Sequence, residues 1–136
     1  MMYFLSSKYM LLSIIFFFLT GSCSNDDIKV LDKTELENLY MEIQEMADSQ
    51  VCDNSSLWRF TAFGAKPCGG PNSYISYSTK IDTTLFLAKV EEYNKGMAEF
   101  NVRNGLVSDC AMVAKPTGIM CDKNKPVFLY SNSSKY

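Results

Sequence analysis

The chain has 136 residues, 13 Lys and Arg against 15 Asp and Glu, five Cys and no His. That length gives one domain. The absence of His excludes Ser-His-Asp and Cys-His nucleophiles and removes the commonest metal ligand. A formal charge of -2 lacks the basic excess with which a nucleic-acid binder displaces counterions.

Met1–Met10 carries one cation, Lys8, and no acid. Leu11 to Leu19 is almost wholly apolar, and Thr20, Gly21, Ser22 and Cys23 follow. A short basic region, an apolar core and small residues before a processing point read as a secretory leader over 1–22. As a helix, the apolar run from Met10 to Leu19 reaches roughly 15 Å, half a bilayer core, so it is too short for a stable span. Leu19-Thr20-Gly21-Ser22-Cys23 resembles the lipobox of bacterial lipoproteins, with Thr20 standing where that family usually has Leu. The resemblance implies attachment of a diacylglycerol with palmitate-type chains to the Cys23 sulfur, then cleavage just before Cys23. A lipid-anchored outer-membrane protein would result, facing the cell surface or the periplasm. Ser24-Asn25-Asp26-Asp27 resembles the acidic stretch after the lipidated Cys of Bacteroidota surface lipoproteins, and residues 23–31 are expected to be lipidated Cys and tether.

The single domain is expected over 32–130. Asp32 and Glu35 have the spacing of a capping box. Leu36, Leu39, Tyr40, Ile43, Met46 and Ala47 form one helical stripe, predicting a helix from about 33 to 49. Glu37, Glu42, Glu45 and Asp48 mark its solvated face. Residues 57–63, with Trp58, Phe60 and Ala62 alternating, read as a strand. The turn-rich 66–72 segment follows, then a second strand at 74–78. The two strands can pair across this connection. Asp82 is placed to cap a second helix with a stripe of Phe86, Val90, Tyr93, Met97 and Phe100. Asn104-Gly105 supplies its stop. Residues 119–121 and 127–130 read as a hairpin, and 131–136 as a frayed tail. This order predicts an α+β domain, two amphipathic helices packed on a small antiparallel sheet.

An exported chain meets an oxidising compartment, so Cys52, Cys68, Cys110 and Cys121 are expected to be disulfide-bonded, with Cys23 the odd one out. Four cysteines allow three connectivities, of which spacing favours 52–68 with 110–121. Each such loop would contribute roughly 3 kcal/mol. Zinc is the weaker alternative, since there is no His and no C-x-x-C pair.

Trp58 to Gly64, Lys66 to Pro71, Tyr74 to Thr79, Asn104 to Cys110 and the Pro116-Thr117-Gly118 turn resemble a Bacteroidota-type family of small secreted or lipidated bacterial proteins. The resemblance covers most of 52–130. It implies a shared fold and an exported location, and it assigns no catalytic residue.

Few residues point to chemistry. Ser108-Asp109 reads as a polar turn. Asn54-Ser55-Ser56 fits an N-glycosylation pattern and Asp82-Thr83-Thr84 a bacterial O-glycosylation pattern, although helix capping explains Asp82 as well. Cys68-Gly69-Gly70-Pro71 lacks the Lys and helix of a phosphate loop. Tyr74 and Tyr77 are candidates for an aromatic binding surface. The reading is therefore a non-enzymatic envelope lipoprotein, a binding or interaction module with no cofactor, metal or nucleic acid. Its expected partners are the membrane, through the lipid, and an envelope protein. The alternative is an inhibitor of an extracellular protease or lysozyme, presenting Lys115 on a closed 110–121 loop, although Pro116 disfavours cleavage after that lysine.

Overall fold

The computed structural model describes residues 30–131. The expected leader, Cys23, the tether as far as residue 29 and residues 132–136 lie outside the described residues.

The first helix, α1, spans Lys33–Asp48. Its capping box forms: Glu35 N–H donates to Asp32 Oδ1 at 2.8 Å, and Asp32 N–H donates to Glu35 Oε2 at 2.9 Å. Two donors that the helix leaves unpaired are thus satisfied reciprocally. Leu36, Leu39, Ile43 and Ala47 are the buried stripe. Leu31, assigned by sequence to the tether, is instead a core residue at 4% exposure. The packed domain therefore starts before the capping residue.

Strand β1 (Trp58–Phe63) pairs antiparallel with β2 (Ser73–Ser78), in a register that sets Trp58 opposite Ser78 and Phe63 opposite Ser73. Helix α2 spans Thr83–Arg103, capped by Asp82 Oδ1, which accepts from Leu85 N–H at 3.0 Å. Its C-terminus closes with Leu106 N–H donating to Asn101 O and Gly105 N–H to Val102 O, at 3.0 and 3.2 Å. This double bond is the Schellman arrangement, which needs a left-handed residue where Gly105 sits at φ 58°. Strands β3 (Gly118–Asp122) and β4 (Lys125–Leu129) make a second antiparallel hairpin. Lys123 and Asn124 turn it, both at positive φ, which suits the strand twist.

The described residues form an α+β fold with two two-stranded sheets rather than one. Side-chain alternation explains the split. Phe63, Ile75 and Tyr77 share one face of the β1–β2 hairpin and enter the helix-covered core with Leu31, Leu36, Leu39, Ile43, Phe86 and Val90. Trp58, Phe60 and Ala62 fall on the opposite face by the period of two. That face is apolar as well, and the β3–β4 hairpin lies against it. Phe60 meets Phe128 edge-on at 6.1 Å, and Trp58 is 4% exposed. Three layers result: helices, first hairpin, second hairpin.

One covalent bond fixes the third layer. Cys52 and Cys121 form a disulfide, Cα–Cα 5.4 Å, and Cys52 N–H donates to Asn124 O at 3.0 Å. This corrects the expected 52–68 and 110–121 pairing. Local loop closure loses because the back of β1 needs cover, and the hairpin that covers it carries Cys121 to Cys52. Cys68 and Cys110 are exposed free thiols.

Two asparagines of α2 hold the end of β1. Asn94 Oδ1 accepts from Gly64 N–H at 2.6 Å, and its Nδ2 donates to Ala62 O at 3.1 Å. Asn101 Nδ2 donates to Ala65 O at 2.8 Å. Gly64 adopts φ 72°, where an added Cβ would lie 2.9 Å from Asn72 Nδ2. The strand thus ends on side-chain amides of the helix.

Gly96 permits close helix contact, since a Cβ there would lie 2.7 Å from Leu31 Cδ1 and 2.9 Å from Leu36 Cδ2. Gly96→Val is expected to destabilise by about 2 kcal/mol, overpacking outweighing the gain over glycine in helix propensity. Chemical denaturation of the oxidised protein checks it. The Cys52–Cys121 bond spans 69 residues. Replacing both by Ser is expected to cost about 4 kcal/mol by chain entropy, read as a lowered denaturation midpoint.

Candidate functional site

Along the outer seam of the helix pair, Leu36, Tyr40 and Met41 of α1 face Tyr93, Met97 and Phe100 of α2 around a groove of about 470 Å³. The sequence stripe of α2 divides here. Phe86 and Val90 are fully in the core, while Tyr93, Met97 and Phe100 are half-buried against it. The helix therefore spends the first half of its apolar face on the hairpin and leaves the second half lining the groove.

Aromatic rings build the floor. Tyr93 stacks on Phe63 at 4.8 Å between centroids, and Tyr40 lies 5.6 Å from Phe63 and 6.0 Å from Tyr93. Such offset and tilted pairs hold ring positions well. Charges confine themselves to the margins. Lys33 pairs with Glu37 at 3.6 Å on the rim. Lys89 Nζ donates to Glu42 Oε2 at 2.6 Å and ties the two helices. Arg103 lies 5.8 Å over the Phe100 ring and donates to Leu31 O at 2.8 Å. Burial pushes the Tyr93 phenol above its ordinary value, and the neighbouring Tyr40 adds to the shift. A neutral, apolar concavity of this volume falls in the range of small-molecule sites, about 300–1,000 Å³.

A second cluster sits where the 64–72 turn meets the connection after α2. Lys66 Nζ donates to Ala111 O at 2.5 Å and lies 3.6 Å from Asp109 Oδ1. Cys68 Sγ and Ser108 Oγ are 3.1 Å apart, and Cys110 Sγ lies 3.7 Å from Ser108 O. Ser108 and Asp109 thus do more than shape a polar turn: they anchor the connection to the 64–72 segment. A hydrogen bond from the Cys110 thiol, then one from Ser108, lowers the Cys68 thiol below its usual value. The same contact raises Cys110.

The structure separates the two tyrosines singled out by sequence. Tyr77 is buried and packs on Phe86 at 4.8 Å, whereas Tyr74 is half-buried and edge-on to Phe60 at 5.9 Å. Three residues apart on a strand, they point to opposite faces and share no surface. Lys115 is exposed beside buried Pro116. Its segment is not closed by a bridge of its own, because Cys121 is bonded to Cys52. Asn54 caps a 3-10 turn, its Oδ1 accepting from Ser56 N–H at 3.0 Å. Asp82 caps α2. Among the described residues, no group of three or more Cys, Asp or Glu is gathered so as to hold a metal ion.

The groove was not anticipated from sequence. Its only signal was Tyr93, Met97 and Phe100 continuing a stripe longer than a two-stranded sheet covers. The half-buried phenol of Tyr93 provides a direct check. Phenol absorbance titration is expected to show one tyrosine ionising above the ordinary value near 10, and Tyr93→Phe removes that late component. The sign for stability follows: the unfolded chain releases this proton first, so stability is full below pH 10 and falls as the pH rises beyond it.

No family model, curated protein or solved structure matches this chain.

Proposed function

We propose that the protein is a lipid-anchored envelope protein whose folded domain is a non-enzymatic binding module, with the α1–α2 groove as its ligand site. The Cys52–Cys121 bond carries the reading. A cross-link between residues 69 apart persists in an oxidising compartment, and the first 22 residues have the order of an export leader. Cys23 then stands apart from the even set of four and next to the small residues Gly21 and Ser22, where a lipid-attachment cysteine belongs. Acyl chains at roughly 0.8 kcal/mol per buried CH₂ hold such a protein on the bilayer.

The groove favours binding over chemistry. Its floor is aromatic and thioether, and the charged residues among its described lining, Lys33 and Glu37, pair with each other. The ligand it fits is small and largely apolar, recognised by ring faces and Met side chains that adapt to its shape.

Two measurements test the two halves. In cells fed an alkyne fatty acid, the wild-type protein is expected to take up label and enter the detergent phase. Cys23→Ala is expected to do neither. A labelled Cys23→Ala protein overturns the anchor. For the groove, the lipid-free Cys23→Ala protein is expected to bind the neutral probe N-phenyl-1-naphthylamine. Met41→Lys, a lining residue at 58% exposure, is expected to weaken binding about fivefold, or ~1 kcal/mol. An unchanged affinity overturns the groove assignment.

A further inference from the structure

We propose that Cys68 and Cys110 form a second disulfide, closed and opened by thiol–disulfide exchange, which staples the connection after α2 onto the turn between β1 and β2. Forty-two residues separate the two cysteines, and contacts on both sides of each bring them together. Lys66, two residues before Cys68, reaches Ala111 O and Asp109, on either side of Cys110. Ser108 touches both sulfurs, through its hydroxyl to Cys68 and its carbonyl to Cys110. The neighbouring thiols shift one another's acidity, Cys68 downward and Cys110 upward.

The frame around them is fixed. Lys66 N–H donates to Gly70 O and Gly69 N–H to Lys66 O, each at 2.9 Å. Gly69 and Gly70 both take positive φ, so the turn has one compact shape. Asn101 pins its start at Ala65. On the other side Cys110 adopts φ 52°, a left-handed conformation costly for a residue with a Cβ. Such strain persists where surrounding contacts over-determine it, and it concentrates at working positions. Here it falls at the residue whose Sγ lies 3.7 Å from Ser108 O, with the Ser108 hydroxyl against Cys68.

The two bridges of the molecule differ in access. Cys52 is 2% exposed and its partner Cys121 is half-buried, so a reagent meets that bond from the Cys121 side. Cys68 and Cys110 are both at the surface. Within the exposed pair the roles are unequal. Cys68 is the sulfur held more readily as thiolate, with the Lys66 ammonium beside it, so Cys68 attacks first.

The reaction balances as follows. The Cys68 thiolate attacks one sulfur of a disulfide R–S–S–R′, forming a mixed disulfide and expelling R′–S⁻. Cys110 then gives up its proton and attacks the Cys68 sulfur, expelling R–S⁻. Two electrons pass from the protein dithiol to the oxidant, two protons are released to the two departing thiolates, and the Cys68–Cys110 bond remains. The oxidant is thus a low-molecular-weight or protein disulfide, and a dithiol reverses the step.

The full chain, purified reduced and folded, is incubated with oxidised glutathione and mapped by mass spectrometry of non-reduced peptides. Linked 52–121 and 68–110 peptides are expected. Graded dithiothreitol is expected to open 68–110 before 52–121, and the freed Cys68 to react with iodoacetamide at least about tenfold faster than Cys110 at pH 7. Cys110→Ser is expected to trap a glutathione adduct on Cys68, and Cys68→Ser to trap little on Cys110. Thiols 68 and 110 that stay free under these conditions, a bridge from either to Cys52 or Cys121, or simultaneous reduction of both bonds would each overturn the proposal. Because oxidation is carried out on purified chain, the result is independent of lipidation and of the groove.

Discussion

The β1–β2 hairpin is apolar on both faces, and the rest of the molecule is arranged to cover it. Phe63, Ile75 and Tyr77 need helices on one side. Trp58 and Phe60 need cover on the other. An isolated two-stranded hairpin is marginal in water, and three-layer burial is what makes this one permanent. The lengths of the surrounding pieces follow. Helix α2 has 21 residues, enough to run back along the sheet and beyond its edge. The long connection after it then carries the chain round to the far side, where β3 and β4 close the stack. The disulfide locks the layer whose strand residues are all half-buried or exposed.

Sequence made the local pieces legible because their causes are local. Asp32 with Glu35, Asp82, Asn104-Gly105 and the alternation around Trp58 each act within a few residues, and each element appeared where those signals put it. What sequence left hidden depends on contacts between distant parts. The alternating Trp58, Phe60 and Ala62 revealed a strand and not which layer would face them, so two hairpins were read as one sheet. The cysteine pairing failed for the same reason: spacing along the chain measures loop closure, while pairing is decided by which hairpin lands on β1. Asn94 and Asn101 looked like ordinary helix polar residues, and only the fold shows them terminating a strand. Tyr74 and Tyr77 were grouped by proximity in sequence, although three residues on a strand put side chains on opposite faces.

The groove and the thiol cluster lie at opposite economies of the same helix. Helix α2 has more apolar face than the first hairpin can use, and the surplus at Tyr93, Met97 and Phe100 lines a concavity against α1. Its last turn and the connection beyond it carry the polar anchors, Asn101 toward Ala65 and Asp109 toward Lys66. The groove lining and the thiol cluster therefore use separate residues. Ile43, Phe86 and Val90 of the hydrophobic core line neither of them.

The Cys52–Cys121 bond encloses half the chain, including both strands of the first hairpin, all of α2 and the exposed stretch around Val107 and Met112. That stretch is where a protease would find backbone to cut. A single cleavage there would leave both fragments joined through sulfur, with the amino-terminal portion still attached to the rest. The nicked molecule would stay in one piece until a reductant opened the Cys52–Cys121 bond.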